Sequence, residues 1–322
     1  MKLLILVFLS TFIFANDILT NYRINGINEI EKQMDFKLTK DEYWNNYLED
    51  IDTTFGYIES YQNVLTCNKE GSTLNLYSKN KHKQFKFRKE YSAFTGKLKG
   101  DKRKEGDLKT PIGIYNITKK LSKDTKLNEF YGPLAFVTSY PNVYDSYRGK
   151  NGSGIWIHGL PTEQKRDEFT RGCIAINNSN IECLNKNIDI TKTLLIINST
   201  EIKKNISKVI LSSILSQLYE WRYAWLYNDI DAYLNFYSSD FIRNDGMTLE
   251  TFKNYKTRVF KKIEKKHIIF NDINIIPYPN NNNTYEITFQ EFYKSDTFEF
   301  TGNKTLIIQL DENNIIKILT EK

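Results

Sequence analysis

A chain of 322 residues is long for a single compact domain, so two or three domains are expected. Hydrophobic residues make up 40% of the chain and aromatic residues 14%, which excludes a disordered protein. The net charge of +6 is a mild excess, and the lysines are scattered rather than gathered with aromatics into a stripe. Nucleic-acid binding is therefore not expected.

The N-terminus has the anatomy of a secretory signal peptide. A basic start is followed by an apolar run from Leu3 to Phe14 and by the small residue Ala15. The run is too short to span a bilayer comfortably, so residues 1–15 are predicted to be a cleaved signal, with an uncleaved anchor as the alternative. We expect the mature protein to be exported.

The three cysteines are an odd set for an exported protein. Cys67, Cys173 and Cys183 leave at least one thiol outside any internal disulfide, and a Cys67–Cys183 bond is one alternative. Cys183 falls on a predicted short helix, where a buried structural thiol is expected. There is no CxxC motif and no close histidine pair, so neither a metal nor another cofactor is expected.

The first two regions of the mature chain differ in their pattern of apolar residues. Residues 16–64 are predicted to be helical, since Tyr43, Tyr47 and Ile51 recur at spacings of four and no proline interrupts them. Residues 65–198 show short β-type runs between turns. These runs include "STLNLYS", "TPIGIYNIT", "GPLAFVTSY", "GIWIHG" and "KTLLIIN".

Residues 199–207 are predicted to be a linker to a separate α+β unit, residues 208–322. Three amphipathic helical patterns are followed by four β-type runs, which predicts a curled antiparallel sheet packed on helices, a cone with an apolar interior. Its aromatic side chains are expected to be core rather than the lining of a ligand pocket. They include Trp221, Trp225, Tyr233 and Phe236.

The stretch "IWIHGLPTEQKRDEFTRGCIA", residues 155–175, holds His158 and Cys173 on either side of a polar loop. A cysteine becomes a nucleophile when a base removes its proton or when a nearby cation favours the thiolate. Gly172 would let backbone approach a substrate carbonyl and offer N–H groups as oxyanion donors, and Arg171 supplies a cation. Spacing alone makes this a weak signal.

The flanking sequence makes the signal specific. Together with "TPIGIYNI" and "YGPLAFVTSYPNVYDSYRGKNGSGIWIHG", the pattern "HG…TRGCIA" resembles the L,D-transpeptidase catalytic domain, the YkuD family, over about residues 70–198. The resemblance implies a mainly antiparallel β-sandwich with its cysteine and histidine in a cleft. It implies Cys173 as nucleophile, His158 as general base and acid, and the carbonyl of Gly159 as the group that orients the imidazole.

One position departs from the family pattern. Many L,D-transpeptidases carry an arginine two residues beyond the cysteine, where this chain has Ala175, so recognition of substrate carboxylates is expected to have moved. Substrate contacts are expected beside the nucleophile and near the histidine, with core packing or a turn role as the alternative for the aromatic residues. The predicted substrate-binding residues are Arg171, Gly172, Thr170, Trp156 and Tyr140.

A second resemblance concerns the C-terminal unit. "WRYAWLYNDIDAYLNFYSSDF…GMTLETFKNYKTRVF" looks like an NTF2-like domain, which could hold an unknown ligand. The whole arrangement resembles the peptidoglycan LD-carboxypeptidases of helical Gram-negative bacteria. That resemblance implies a periplasmic enzyme that trims stem tetrapeptides to tripeptides and affects cell shape, and a homodimer formed through the N-terminal region.

Two other functions stay open. An L,D-transpeptidase would form the same thioester but pass it to an amine, and the motif cannot separate the two outcomes. A wall-binding or scaffold protein is the alternative of a different class. Ala175 and the second domain favour water as the acceptor.

Overall fold

A computed structural model describes residues 18–161 and 169–322. The predicted signal peptide lies outside the described residues. Residues 18–25 are helical and are followed by α1 (Ile27–Leu38) and α2 (Asp41–Tyr47). Within the described ranges, no helix has both the length and the apolar character needed to cross a bilayer.

The N-terminal helical region is shorter than predicted. Helix α2 ends at Tyr47, and the chain then turns and forms β1 (Tyr57–Ile58). Gly56 has a φ of +115°, and a Cβ at this position would lie 2.1 Å from the carbonyl oxygen of Ile275. Only glycine permits this approach, which lets β1 pair antiparallel with the C-terminal sheet. The expectation of helix beyond Tyr47 is therefore wrong.

Eight strands form the β-rich unit, and their hydrogen-bonded order β2-β3-β4-β8-β7-β6-β5-β9 closes into a barrel. The mainly β fold is thus confirmed. β4 and β5 each belong to two sheets, so the two layers of the expected sandwich are joined at both edges. The strands are β2 (Asn63–Asn68), β3 (Thr73–Lys79), β4 (Phe85–Phe94), β5 (Gly113–Ser122), β6 (Leu134–Thr138), β7 (Trp156–His158), β8 (Ile174–Ile176) and β9 (Thr193–Asn198). Two helices lie between them, α3 (Val143–Tyr147) and α4 (Asn178–Asn187).

The barrel core determines which side chains face outward. Ile157 on β7 and Ile174 on β8 are partners in a parallel pair, and both are fully buried in the core. Because successive side chains of a strand point to opposite faces, the next pair, His158 and Ala175, lies on the other face of the sheet.

The C-terminal unit contains three helices and an antiparallel sheet of order β1-β10-β11-β12-β13, in which β1 comes from the N-terminal region. The α+β architecture predicted for an NTF2-like domain is confirmed. Its elements are α5 (Lys208–Leu226), α6 (Ile230–Asn235), α7 (Leu249–Phe260), β10 (His267–Pro277), β11 (Thr284–Lys294), β12 (Glu299–Leu310) and β13 (Ile316–Glu321).

Aromatic side chains fill the interior of this cone. Trp221 stacks on Tyr233 with ring centroids 5.4 Å apart, and Trp225 and Phe236 also belong to the cluster. The space left beside Trp221 and Phe236 is about 10 Å³, room for one water molecule at most. The aromatics are core, as predicted. At this position the described residues form no pocket for a larger ligand.

Candidate active site

His158 and Cys173 come from neighbouring parallel strands. His158 ends β7 and is in register with Ala175, while Cys173 lies two residues before Ala175, where the chain enters β8. With about 3.3 Å per residue along a strand and about 4.8 Å between strands, the two Cα atoms are about 8 Å apart. The two side chains can bridge a span of this length.

The imidazole of His158 is buried and held in one orientation. Its Nδ1 lies 2.6 Å from the carbonyl oxygen of Gly159, and the ring of Tyr131 packs edge-to-face at 5.1 Å. Because a carbonyl oxygen can only accept, Nδ1 carries the hydrogen and donates it. The basic nitrogen is then Nε2, the atom that general base catalysis requires.

Asn178 fixes the turn that follows the histidine. Its Oδ1 accepts a hydrogen bond of 2.7 Å from the backbone N–H of Leu160. A Cβ on Gly159 would lie 2.4 Å from the same oxygen, so a side chain at this position would displace Asn178 from its bond to Leu160. Sequence reasoning missed both Asn178 and Tyr131. Asn178 stands outside the quoted stretches, and Tyr131 is the first residue of "YGPLAFVTSYPNVYDSYRGKNGSGIWIHG" but carries no sequence signal that its ring packs on the histidine.

The turn before β8 presents the thiol. Gly172 has a φ of +136°, and a Cβ there would lie 2.9 Å from the carbonyl oxygen of Lys109. The Thr170 hydroxyl donates to the carbonyl of Cys173 (2.7 Å) and accepts from the N–H of Gly172 (3.0 Å). Cys173 is partly exposed, and its thiol donates to the carbonyl of Gly154 at 3.4 Å. The N–H of Gly172 is thus already used within the turn. The expectation that backbone N–H groups of this turn serve as oxyanion donors stays a prediction.

The predicted substrate residues are placed in different environments. Arg171 is exposed two residues before Cys173, and Trp156 is half-buried with its ring 4.8 Å from that of Tyr131. Tyr140 is only 5% exposed and donates to the carbonyl of Asn151 (2.9 Å). Tyr140 and Thr170 are both buried and hydrogen-bonded within the protein, and their substrate contacts stay predictions.

A buried ionic network lies behind the loop that carries Gly154. The Lys150 side chain is 2% exposed, and its Nζ lies 2.8 Å from Oδ1 of Asp145 and 2.7 Å from Oδ2 of Asp101. Asp145 is fully buried and also accepts from the Tyr115 hydroxyl (2.9 Å). Lys150 therefore anchors the segment that reaches the thiol.

The other two cysteines form no disulfide within the described residues. Cys67 is 1% exposed on β2, and burial raises the pKa of its thiol to about 12. Cys183 is partly exposed, with Nζ of Lys89 at 3.5 Å from its sulfur, so the expectation of a fully buried thiol is wrong. Residues 18–161 and 169–322 contain no group of three or more His, Cys, Asp or Glu side chains arranged to hold a metal ion.

Comparison with known families defines the class. The L,D-transpeptidase catalytic domain (YkuD) matches residues 62–197, and the Cds6 C-terminal NTF2-like domain matches residues 213–322. The chain is thus an L,D-transpeptidase-type enzyme domain joined to an NTF2-like domain.

The match to one solved structure extends over both domains. The helical cell shape determining protein Pgp2 from Campylobacter jejuni is 36% identical, with a TM-score of 0.79 over 88% of this chain and 99% of that one. Bd1075 from Bdellovibrio bacteriovorus is 28% identical, with a TM-score of 0.65 over 84% and 97% of the two chains. The chain belongs to the same family as Pgp2, and its residues 62–197 are an L,D-transpeptidase catalytic domain.

A shorter match joins the catalytic region to YafK of Escherichia coli (strain K12), which is provisionally named an L,D-transpeptidase. The two are 32% identical over 117 residues, which is 35% of this chain. This chain spans 42% of the length of that relative.

Proposed function

We propose that the protein is a peptidoglycan LD-carboxypeptidase that removes the terminal D-alanine from stem tetrapeptides and leaves tripeptides. The observation that carries the proposal is a partly exposed thiol and an oriented imidazole on neighbouring strand segments, with alanine where many family members have arginine. Ala175 is fully buried and is in register with His158. Its methyl group supplies no cation beside the imidazole, which favours a reaction different from ordinary cross-linking.

Acylation uses Cys173 and His158. Nε2 of His158 takes the thiol proton, and the thiolate attacks the carbonyl on the L-centre of the residue before D-alanine. The C–N bond then breaks, the imidazolium returns its proton to the leaving amine, and a thioester on Cys173 remains. The carbonyl of Gly159 holds the required tautomer throughout.

Deacylation uses the same imidazole. Nε2 removes a proton from water, the hydroxide adds to the thioester carbonyl, and the C–S bond breaks to release the tripeptide and restore the thiol. A transpeptidase would place an amine where this water stands, so the acceptor alone distinguishes the two reactions. Trp156, half-buried beside Tyr131, supports the proposal that this face is the substrate groove, with Arg171 at its edge.

The proposed setting is the periplasm, where the predicted signal peptide would deliver the enzyme and where it would influence cell shape, as the name of Pgp2 says of that protein.

A homodimer through the N-terminal region is part of the proposal. Ile18, Leu19 and Tyr22 are each at least 44% exposed, which leaves apolar surface on the first helix. If light scattering gave the mature chain and a chain lacking residues 16–60 each the mass of its own monomer, the dimer would be refuted.

The test of the proposed reaction is a product analysis. Purified protein is incubated with disaccharide tetrapeptide, with and without an amine acceptor, and a Cys173→Ala variant is run alongside. We expect loss of one D-alanine that depends on Cys173, with no cross-linked or exchanged product. Cross-linked or exchanged product would instead establish a transpeptidase. No reaction with either substrate would favour the wall-binding alternative.

A further inference from the structure

The segment between β4 and β5 is unusually basic. We call residues 97–109 the basic loop. Four of its basic side chains are exposed and one is half-exposed, whereas Lys102 is buried. The five that reach solvent are Lys97, Lys99, Arg103, Lys104 and Lys109.

Two of the three carboxylates in the basic loop have internal partners. Burial would raise the pKa of Asp107, but Lys102 Nζ (2.8 Å) and the backbone N–H of Arg103 (2.7 Å) hold it well below its usual range. Asp101 is paired with buried Lys150. Glu105 is the third carboxylate, so the solvent-facing surface of the loop keeps a positive charge.

The basic loop touches the nucleophile's turn from one side. A Cβ on Gly172 would collide with the carbonyl oxygen of Lys109, so the backbone of Lys109 lies directly against the residue before Cys173. At the other end of the loop, the N–H of Lys97 donates to the carbonyl of Thr170 at 3.0 Å.

It touches the other flank of the thiol as well. The N–H of Asn151 donates to the carbonyl of Arg103 (3.1 Å), and the N–H of Glu105 donates to Oδ1 of Asn151 (2.9 Å). Asn151 belongs to the segment that ends at Gly154, whose carbonyl accepts from the Cys173 thiol. The basic loop therefore packs against both segments that flank Cys173.

We infer that the basic loop binds the carboxylates of an anionic peptide substrate. It would take over the role of the arginine that many family members carry at the position of Ala175. The specificity-determining residues are Lys109, Arg103 and Lys104. Lysine and arginine at the rim of a cleft attract carboxylates without needing a buried ion pair. The assignment rests on the proposed function for the identity of the peptide. The attraction of anions towards Cys173 does not depend on it.

Alkylation of Cys173 tests the attraction by itself. The thiolate displaces iodide from iodoacetate, an anion, or from iodoacetamide, its neutral analogue, to form a thioether. The rates at the Cys173 peptide are followed by mass spectrometry in wild type and in the Lys109→Gln/Arg103→Gln/Lys104→Gln variant. These three charges lie on a loop that packs against both segments flanking Cys173, and salt screens part of their field. The ratio of the iodoacetate rate to the iodoacetamide rate should therefore fall about threefold.

A matched variant controls for total charge. Lys119→Gln/Lys120→Gln/Lys123→Gln removes three exposed charges from the other end of β5 and its following turn, and it should leave the ratio unchanged. An unchanged ratio in the basic-loop variant would overturn the inference, as would an equal fall in the control. Circular dichroism of both variants checks that the fold is intact.

The substrate arm uses disaccharide tetrapeptide. In the basic-loop variant KM should rise while kcat changes little, because ground-state binding is lost but the chemical groups remain. A KM equal to that of wild type would overturn the substrate assignment. If wild type released no D-alanine, the proposed function would fail, while the alkylation ratio would still decide whether the loop attracts anions.

Discussion

Replacing Lys150 with methionine should destabilise the barrel, because the substitution removes the cation from a buried network. Methionine keeps much of the side-chain volume but leaves two carboxylates without their ammonium partner. Asp145 is fully buried, and Asp101 is about one-fifth exposed. The cost therefore arises mainly at Asp145, which has no access to water.

The magnitude follows from the contacts that remain. Breaking a buried ion pair by removing one partner costs about 3–5 kcal/mol. Asp145 would keep the Tyr115 hydroxyl at 2.9 Å and Arg148 Nη2 at 3.2 Å. We therefore expect the lower end of the range, about 3 kcal/mol, which corresponds to a fall in melting temperature of roughly 6 °C or more.

Urea unfolding followed by circular dichroism measures this cost. Lys120→Met, an exposed substitution of the same type on β5, should stay within about 0.5 kcal/mol of wild type. Adding Asp145→Asn to Lys150→Met should cost less than the sum of the two single changes, because the uncompensated charge is removed. A Lys150→Met protein within about 1 kcal/mol of wild type would refute the argument that this network supports the barrel.

Three further predictions concern other buried groups. In folded protein, iodoacetamide should modify Cys173 and Cys183. Cys67 is 1% exposed and its pKa is raised to about 12, so it should react only after unfolding. Peptide mass spectrometry distinguishes the three thiols, and prompt labelling of Cys67 would contradict the prediction. Burial raises the pKa of Glu286 to about 8, so between pH 4.5 and 8 the folded state holds a proton that the unfolded state has lost. The free energy of unfolding should therefore fall as pH rises from about 5 to 8, by up to about 1.4 kcal/mol per pH unit. Urea unfolding at several pH values measures this slope, which Glu286→Gln should flatten. Gly172→Ala should lower the free energy of unfolding by about 1–3 kcal/mol and slow the alkylation of Cys173. The reason is that Gly172 has a φ of +136° and that the new methyl group would meet the carbonyl of Lys109. An unchanged rate of labelling would show that the turn adapts.

The placement of His158 and Cys173 on neighbouring strands could be predicted because both residues stand in a short local motif. His158 and Cys173 flank one loop, and the neighbouring β-type runs place them on adjacent strands. Asn178 and Tyr131 could not be predicted, since their contacts with the histidine segment depend on how α4 and the turn before β6 pack. Spacing along the chain carries no such information.

Charged residues were the least predictable part. Lys150 and Lys102 look like members of a solvated lysine-rich surface in sequence, yet both are buried against carboxylates. Their partners are five residues away in each case, at Asp145 and Asp107, and only the fold shows which carboxylate faces inward. The closure of the barrel could not be predicted from the sequence either. It depends on the parallel pairing of β2 with β9, which are more than 120 residues apart in the chain.

The measurement that tests the central claim most directly is the mass of the protein after acid quenching during turnover of disaccharide tetrapeptide in ¹⁸O-labelled water. The account predicts an acyl adduct that lacks D-alanine, located on the Cys173 peptide, and one ¹⁸O in the carboxylate of the released tripeptide. Release of D-alanine that persists in Cys173→Ala, or a tripeptide carboxylate without ¹⁸O, would contradict it.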